Sequence, residues 1–188
     1  MTWTAANARA MAGSCLQESG DRWLHVQAVG GFAEDLRARG SHLSEAVVMA
    51  AWLHDVGYAE SVAVTGFHPL DGAKWLRLQG APEEIVALVA YHSGARFEAE
   101  ERGLADELAS FPAPDQSELD VLTLIDLSTS PIGQRVAVNE RLAEILVRYP
   151  DQHPVHRAVS RSRGYLADSA NRAAKRLGLA DERTGSVL

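Results

Sequence analysis

Thiols are nearly absent from this chain: Cys15 is the single cysteine among 188 residues. That excludes an intrachain disulfide framework and a cysteine-based zinc cluster, and Cys15 reads as a buried or half-buried thiol in a reducing compartment. Long apolar runs are missing as well. None approaches the roughly 18 residues needed to span a bilayer, and the longest, Ala46 to Leu53, suits a buried helix. Met1 to Ser14 carries no basic stretch followed by an apolar core, so no signal peptide is read and a cytoplasmic protein with no membrane partner is expected. Blocks of Lys and Arg are also lacking. With 18 Lys+Arg against 25 Asp+Glu and a formal net charge of −7, the chain has no electrostatic footprint for extended nucleic acid. A small phosphate ester needs only local positive charge and stays open as a substrate. No segment alternates apolar and polar residues between turn signals, so strands are not expected.

What is present is helical periodicity. Hydrophobic residues at 46% and charged residues at 23% describe an ordinary globular chain and not a disordered one. Asp21 to Arg39 carries a stripe of His25, Val29, Phe32 and Leu36 at three- and four-residue spacing, with Gly40 as its stop. Ser44 to His54 is apolar all round its centre, which places it in the middle of a bundle. Val56 to Phe67 reads as a connecting loop. His68-Pro69 opens a short helix closed by Gly80, and Pro82-Glu83-Glu84 opens another that Ser93-Gly94 stops. Ala95 to Ser110 reads as one charged helix. Ser117 reads as the cap of the next, with Asp120 three residues on, and Pro131-Ile132-Gly133 breaks it. Val138 to Tyr149 and Val155 to Leu177 complete the set. The fold class expected is all-α, a single-domain helical bundle of about eight or nine helices.

Four histidines fall on, or at the ends of, apolar helix faces: His25, His54, His68 and His92. Asp55 follows His54 directly, and Asp126 sits on the apolar stripe of its own helix. Apart from the adjacent pair His54-Asp55, each comes from a different helix or helix end, and a bundle core is where such side chains converge. Adjacent residues project about 100° apart on a helix, so His54 and Asp55 can straddle one ion while the second carboxylate oxygen turns to another. His25, His54, Asp55 and Asp126 make one set; Asp55, His68 and His92 make a second. Imidazole and carboxylate without thiolate lean towards Fe or Mn, with Zn, Co, Ni or Mg as alternatives. Two divalent ions against two aspartates leave a net positive pocket, which attracts a phosphate ester and acidifies a bound water.

The pattern His25…His54-Asp55…Asp126 resembles the HD-domain metal-dependent phosphohydrolase superfamily. AWLHDVGY (Ala51 to Tyr58) is similar to its signature, with HDVG close to the HDIG variant. FHPLDGA (Phe67 to Ala73) and VAYHS (Val89 to Ser93) resemble the further histidine segments of the bimetallic members. The resemblance covers about Arg22 to Pro131. It implies an HD-type helical bundle with two metal ions on these six residues, Asp55 bridging them, and hydrolysis of a small phosphoester, nucleotide-like ones included, by metal-activated water. The implied organisation is an N-terminal helix over 1–20, the metal-binding core over 21–131, C-terminal helices packed on the core over 132–179, and a frayed tail over 180–188. The alternatives are a di-iron oxygenase on the same ligands and a non-catalytic, metal-stabilised helical module. The Lys that often follows HDIG is replaced by Tyr58, and no glycine-tyrosine-proline motif of the cyclic-dinucleotide members is present.

Arg22, Lys74 and Arg96 are the candidates for holding a substrate phosphate, a solvated surface charge being the alternative for each. Asp71 reads either as a residue orienting a ligand or as a first-turn helix stabiliser. His42, His153 and His156 read as surface residues, Trp23, Trp52 and Trp75 as core, and Glu98, Glu100 and Glu101 as a solvated face. The segment from Pro131 to Leu179 reads as a lid or a dimer surface, which leaves a homodimer open.

Overall fold

The computed structural model describes residues 2–179, and every structural statement below refers to these. The tail expected to fray at 180–188 lies outside them. Ten α-helices follow one another: α1 (Ala5–Leu16), α2 (Asp21–Ala38), α3 (Glu45–Leu53), α4 (His68–Leu78), α5 (Glu83–Tyr91), α6 (Ala95–Arg102), α7 (Ala105–Ala109), α8 (Gln116–Leu127), α9 (Val138–Arg148) and α10 (Pro154–Arg176). Single 3₁₀ turns at Val56–Tyr58 and His92–Gly94 interrupt the chain beside α3 and α5. The one β-type contact is an isolated antiparallel bridge between Thr129 and Arg135. The all-α, single-domain expectation holds, and none of these helices is long and apolar enough to cross a membrane.

Two helices form the centre because their sequences leave no polar face to turn outward. In α3 every residue from Ala46 to Leu53 is buried, and in α8 every residue from Leu119 to Leu127. The Ser44 side chain caps α3 by accepting from the Val47 N–H. Around this pair, α1, α2 and α5 pack on α3, and α10 lies along α8 and α6. Trp52 is buried under α2, where its indole N–H donates to Glu34 at 3.0 Å. Trp23 and Trp75 are half-buried against the same core.

Three local readings change. The segment 95–110 is two helices, since Gly103 takes a left-handed conformation (φ +71°) that caps α6. The cap of α8 is Asp115, whose carboxylate accepts from the Ser117 and Glu118 N–H groups. Asp120, read as the partner of a Ser117 cap, turns into the core instead. There it accepts from Ser169 at 2.6 Å and from Nε and Nη2 of Arg172, each at 2.7 Å, fastening α10 to α8. The acidic run is also no solvated face: Glu101 pairs with Arg157 and Arg161, and Glu100 with Arg161, tying α6 to α10. Glu98 is half-buried and paired with Arg102.

The glycine of the HDVG stretch has a packing reason. A Cβ at Gly57 would lie 2.0 Å from the His68 carbonyl oxygen and 2.8 Å from the Gly72 nitrogen, so only glycine lets the start of α4 close on the 3₁₀ turn that follows Asp55. Replacing Gly57 by Ala should force these backbones apart and cost about 3 kcal/mol in urea unfolding. Gly31 in α2, where an added Cβ meets nothing within 4 Å, is the matched control: Gly31→Ala should stabilise by about 0.5–1 kcal/mol.

Candidate metal centre

Helix ends aim the six side chains. His25 projects from the middle of α2, His54 terminates α3, and Asp55 follows it before the 3₁₀ turn. His68 is the first residue of α4, His92 terminates α5, and Asp126 lies in the last turn of α8. All are buried except His68, which is partly exposed. The structure brings them together as two groups, His25–His54–Asp126 and Asp55–His68–His92, whose ligand atoms lie within 4.8 Å of one another inside each group.

Asp55 joins the groups. Its Oδ2 lies 3.3 Å from His54 Nε2 and 3.9 Å from His25 Nε2, while its Oδ1 lies 3.3 Å from His68 Nε2 and 3.9 Å from His92 Nε2. Asp126 Oδ1 is 3.0 Å from His25 Nε2, and its Oδ2 accepts a hydrogen bond from the Ser93 hydroxyl. Ser93 is the one non-glycine residue with positive φ (46°) among those described. A serine is held in that conformation only where its surroundings impose it, and here the hydroxyl orients a candidate ligand. No sequence signal marks this beyond the adjacency of Ser93 to His92.

The histidine tautomers follow from the backbone. Nδ1 of His25 donates to the Ser130 carbonyl at 3.0 Å, that of His54 to Ala51 at 3.0 Å, and that of His92 to Val89 at 2.7 Å. A carbonyl only accepts, so in each neutral ring Nε2 carries a bare lone pair. Yet His25 and His54 face each other Nε2 to Nε2 at 3.3 Å, and His68 and His92 do so at 3.1 Å. At these separations two bare lone pairs would repel, so a proton or a metal cation must lie between or beside each pair of nitrogens. Carbonyl hydrogen bonds on the outer nitrogen are also how metal-binding histidines are oriented. The donor set, four imidazoles and two carboxylates, therefore fits divalent transition metals, and these groups could hold them.

The titration behaviour expresses the same crowding. Burial pushes His54 down, but the Asp55 and Asp126 carboxylates outweigh it and hold the imidazole up at about 9. Burial, with His68 and His54 adding to it, drives His92 down to about 3. Burial opposes ionisation of both aspartates, yet Arg22 and His54 hold Asp55 well below the usual carboxylate range, and His25 and His54 do so for Asp126. Arg22, in the first turn of α2, donates to Asp55 Oδ2 at 2.5 Å. Its guanidinium lies 4.0 Å from the centre of the Tyr58 ring, which itself stacks 4.0 Å from the His68 ring.

The cluster forms the floor of a cleft with about 720 Å³ of empty space, solvent at its mouth included. Of the residues considered for phosphate, Arg22 lines this cleft. Arg96 does not: it lies over the Phe97 and Tyr165 rings beside a separate cavity. Lys74 is exposed on α4 and does not line the cleft either. The other two cleft arginines, Arg141 and Arg148 of α9, escaped the sequence reading because no motif marks them, although seven residues put both on one helix face. Asp71 does sit in the first turn of α4, the second of the two roles considered for it. Its buried carboxylate accepts from the N–H groups of Val64, Thr65 and Gly66 and so shapes the loop leading to His68. His153 caps α10, and His156 meets the Tyr149 carbonyl.

In the metal-free protein the His54 proton contributes stability that is complete below its ordinary pKa of 6.5 and is lost as pH rises through about 9. A metal on Nε2 must displace that proton. Uptake at pH 7.5 should therefore release about one proton, and affinity should weaken as pH falls. Calorimetry in two buffers of different ionisation enthalpy measures this, and uptake without proton release would mean that the ion binds elsewhere. Comparison of the chain with family models, curated proteins and solved structures gives no match.

Proposed function

We propose that the protein is a metal-dependent phosphohydrolase that cleaves a small phosphoester with metal-activated water. The observation that carries this reading is Asp55: one buried carboxylate, each oxygen turned to a different pair of histidines, on the floor of a cleft that three arginines line. The resemblance to HD-domain phosphohydrolases points the same way, and its implied helical bundle agrees with the fold. Metal ions bound by the two groups, iron or manganese in the first place, would neutralise charge on phosphoryl oxygens and acidify water to a nucleophile near neutral pH.

The chain's own residues account for the rest. Nε2 of each histidine would hold a metal, with its direction set by a carbonyl behind Nδ1 in His25, His54 and His92. Ser93 fixes the free oxygen of Asp126. Arg22 keeps Asp55 ionised and adds positive charge where an anionic substrate enters. Tyr58, layered between Arg22 and His68, takes the place of the HDIG lysine and stiffens this side of the cleft.

Elemental analysis and a phosphate-release assay on protein purified without chelator and reloaded with Mn or Fe test the reading. Wild type should hold two ions and release phosphate. Asp55→Ala should lose both ions and activity, and His92→Ala should lose one ion. Retention of metal by Asp55→Ala would overturn the site. Oxygen uptake with an organic substrate and no phosphate release would replace the hydrolase by an oxygenase. Stabilisation by metal without turnover of any phosphoester would leave a structural module.

A further inference from the structure

The C-terminal helices contribute a second, chemically different wall to the cleft. Leu142 and Ile145 come from α9, and Val155, Val159 and Leu166 from α10, so this wall is apolar. No asparagine, glutamine or threonine lines the cleft among the described residues, so no side-chain amide, the group with paired donor and acceptor that suits a nucleobase edge, is on offer there. The wall carries one buried charge, Arg141, 7% exposed. Its Nη1 bonds Glu144, but its Nε is a buried side-chain atom with no hydrogen-bond partner, the one such atom found among the described residues. Glu144 is shared with Arg148, which donates to it from Nε at 2.7 Å. One carboxylate thus serves two guanidiniums, and the face keeps a net positive charge. A buried guanidinium N–H left unpaired is costly in a folded protein unless a ligand supplies the acceptor.

We propose that this wall sets the substrate class: a phosphomonoester of an aliphatic or aryl group, not a nucleotide. Arg141, which lines the cleft, turns its guanidinium to the phosphoryl group, and the α9–α10 surface covers the apolar group. This deepens the phosphohydrolase reading and rests on it. Arginine suits the task because its planar fork can pair Glu144 along one edge and an oxyanion along another.

Non-hydrolysable phosphonates separate binding from chemistry. Mn-loaded full-length protein is titrated in a calorimeter with methylphosphonate, butylphosphonate and adenosine monophosphate. Butylphosphonate should bind about tenfold or more tightly than methylphosphonate, as burial of three further methylenes requires, and more tightly than the nucleotide. Arg141→Gln and Arg141→Lys, each checked by its thermal melt, should weaken both phosphonates by a similar factor of about ten; the lysine variant keeps the charge and loses the planar guanidinium fork. Val159→Asn should weaken butylphosphonate and spare methylphosphonate. Equal affinity for the two phosphonates, no binding of either, or tighter binding of the nucleotide would overturn the wall's role. Unchanged affinity in folded Arg141→Lys would overturn that of Arg141. Phosphate release from butyl and phenyl phosphate is followed in parallel. Selective binding without release contradicts the hydrolase reading alone, and release without selectivity contradicts this inference alone.

Discussion

Four imidazole nitrogens within 3.9 Å of the two oxygens of one buried carboxylate, Asp55, form the constraint on which the rest of the molecule is arranged. A bare carboxylate in that position would be expensive, and so would imidazole nitrogens crowded beside it with no proton or cation between them. Each is tolerable as half of a cation site. In the metal-free chain, Arg22 and a protonated His54 supply the positive charge. Metal ions would take over that electrostatic role and bring Lewis acidity with them.

The fold can be understood as the support for this convergence. Helices α3 and α5 end at their histidines, and α4 begins at His68, so three candidate ligands sit at helix termini where a small backbone turn re-aims a side chain. Close approach at Gly57 and the carboxylate of Asp71, which gathers the loop before His68, set the position of α4. The ion pairs from α10 to Asp120 and to Glu101 fix the outer layer. That layer bears no metal ligand, but it closes the cleft with an apolar surface and a buried arginine.

Much of this was legible before any coordinates. Runs such as Val47 to Leu53 and Val121 to Ile125 have no polar face, so they had to be central helices. Histidines on stripes otherwise apolar had to meet inside the bundle. The rest was not legible because it depends on partners remote in the chain. Asp120 resembles a capping residue until Arg172 and Ser169 are seen beside it. The acidic run 98–101 resembles a solvated face until α10 delivers Arg157 and Arg161. Nothing local distinguishes Arg141 from an ordinary surface arginine, or Arg96 and Lys74 from cleft residues. Ser93 reads as a helix stop, since neither its strained backbone nor its bond to Asp126 has a sequence signature.

The central claim is that Asp55 couples two cation sites within one cluster. Electron paramagnetic resonance of the protein saturated with Mn(II) tests it most directly. Ions sharing a carboxylate bridge are near enough for their spins to couple, so the account requires the spectrum of an exchange-coupled pair. A spectrum composed only of isolated Mn(II) at saturation would contradict it.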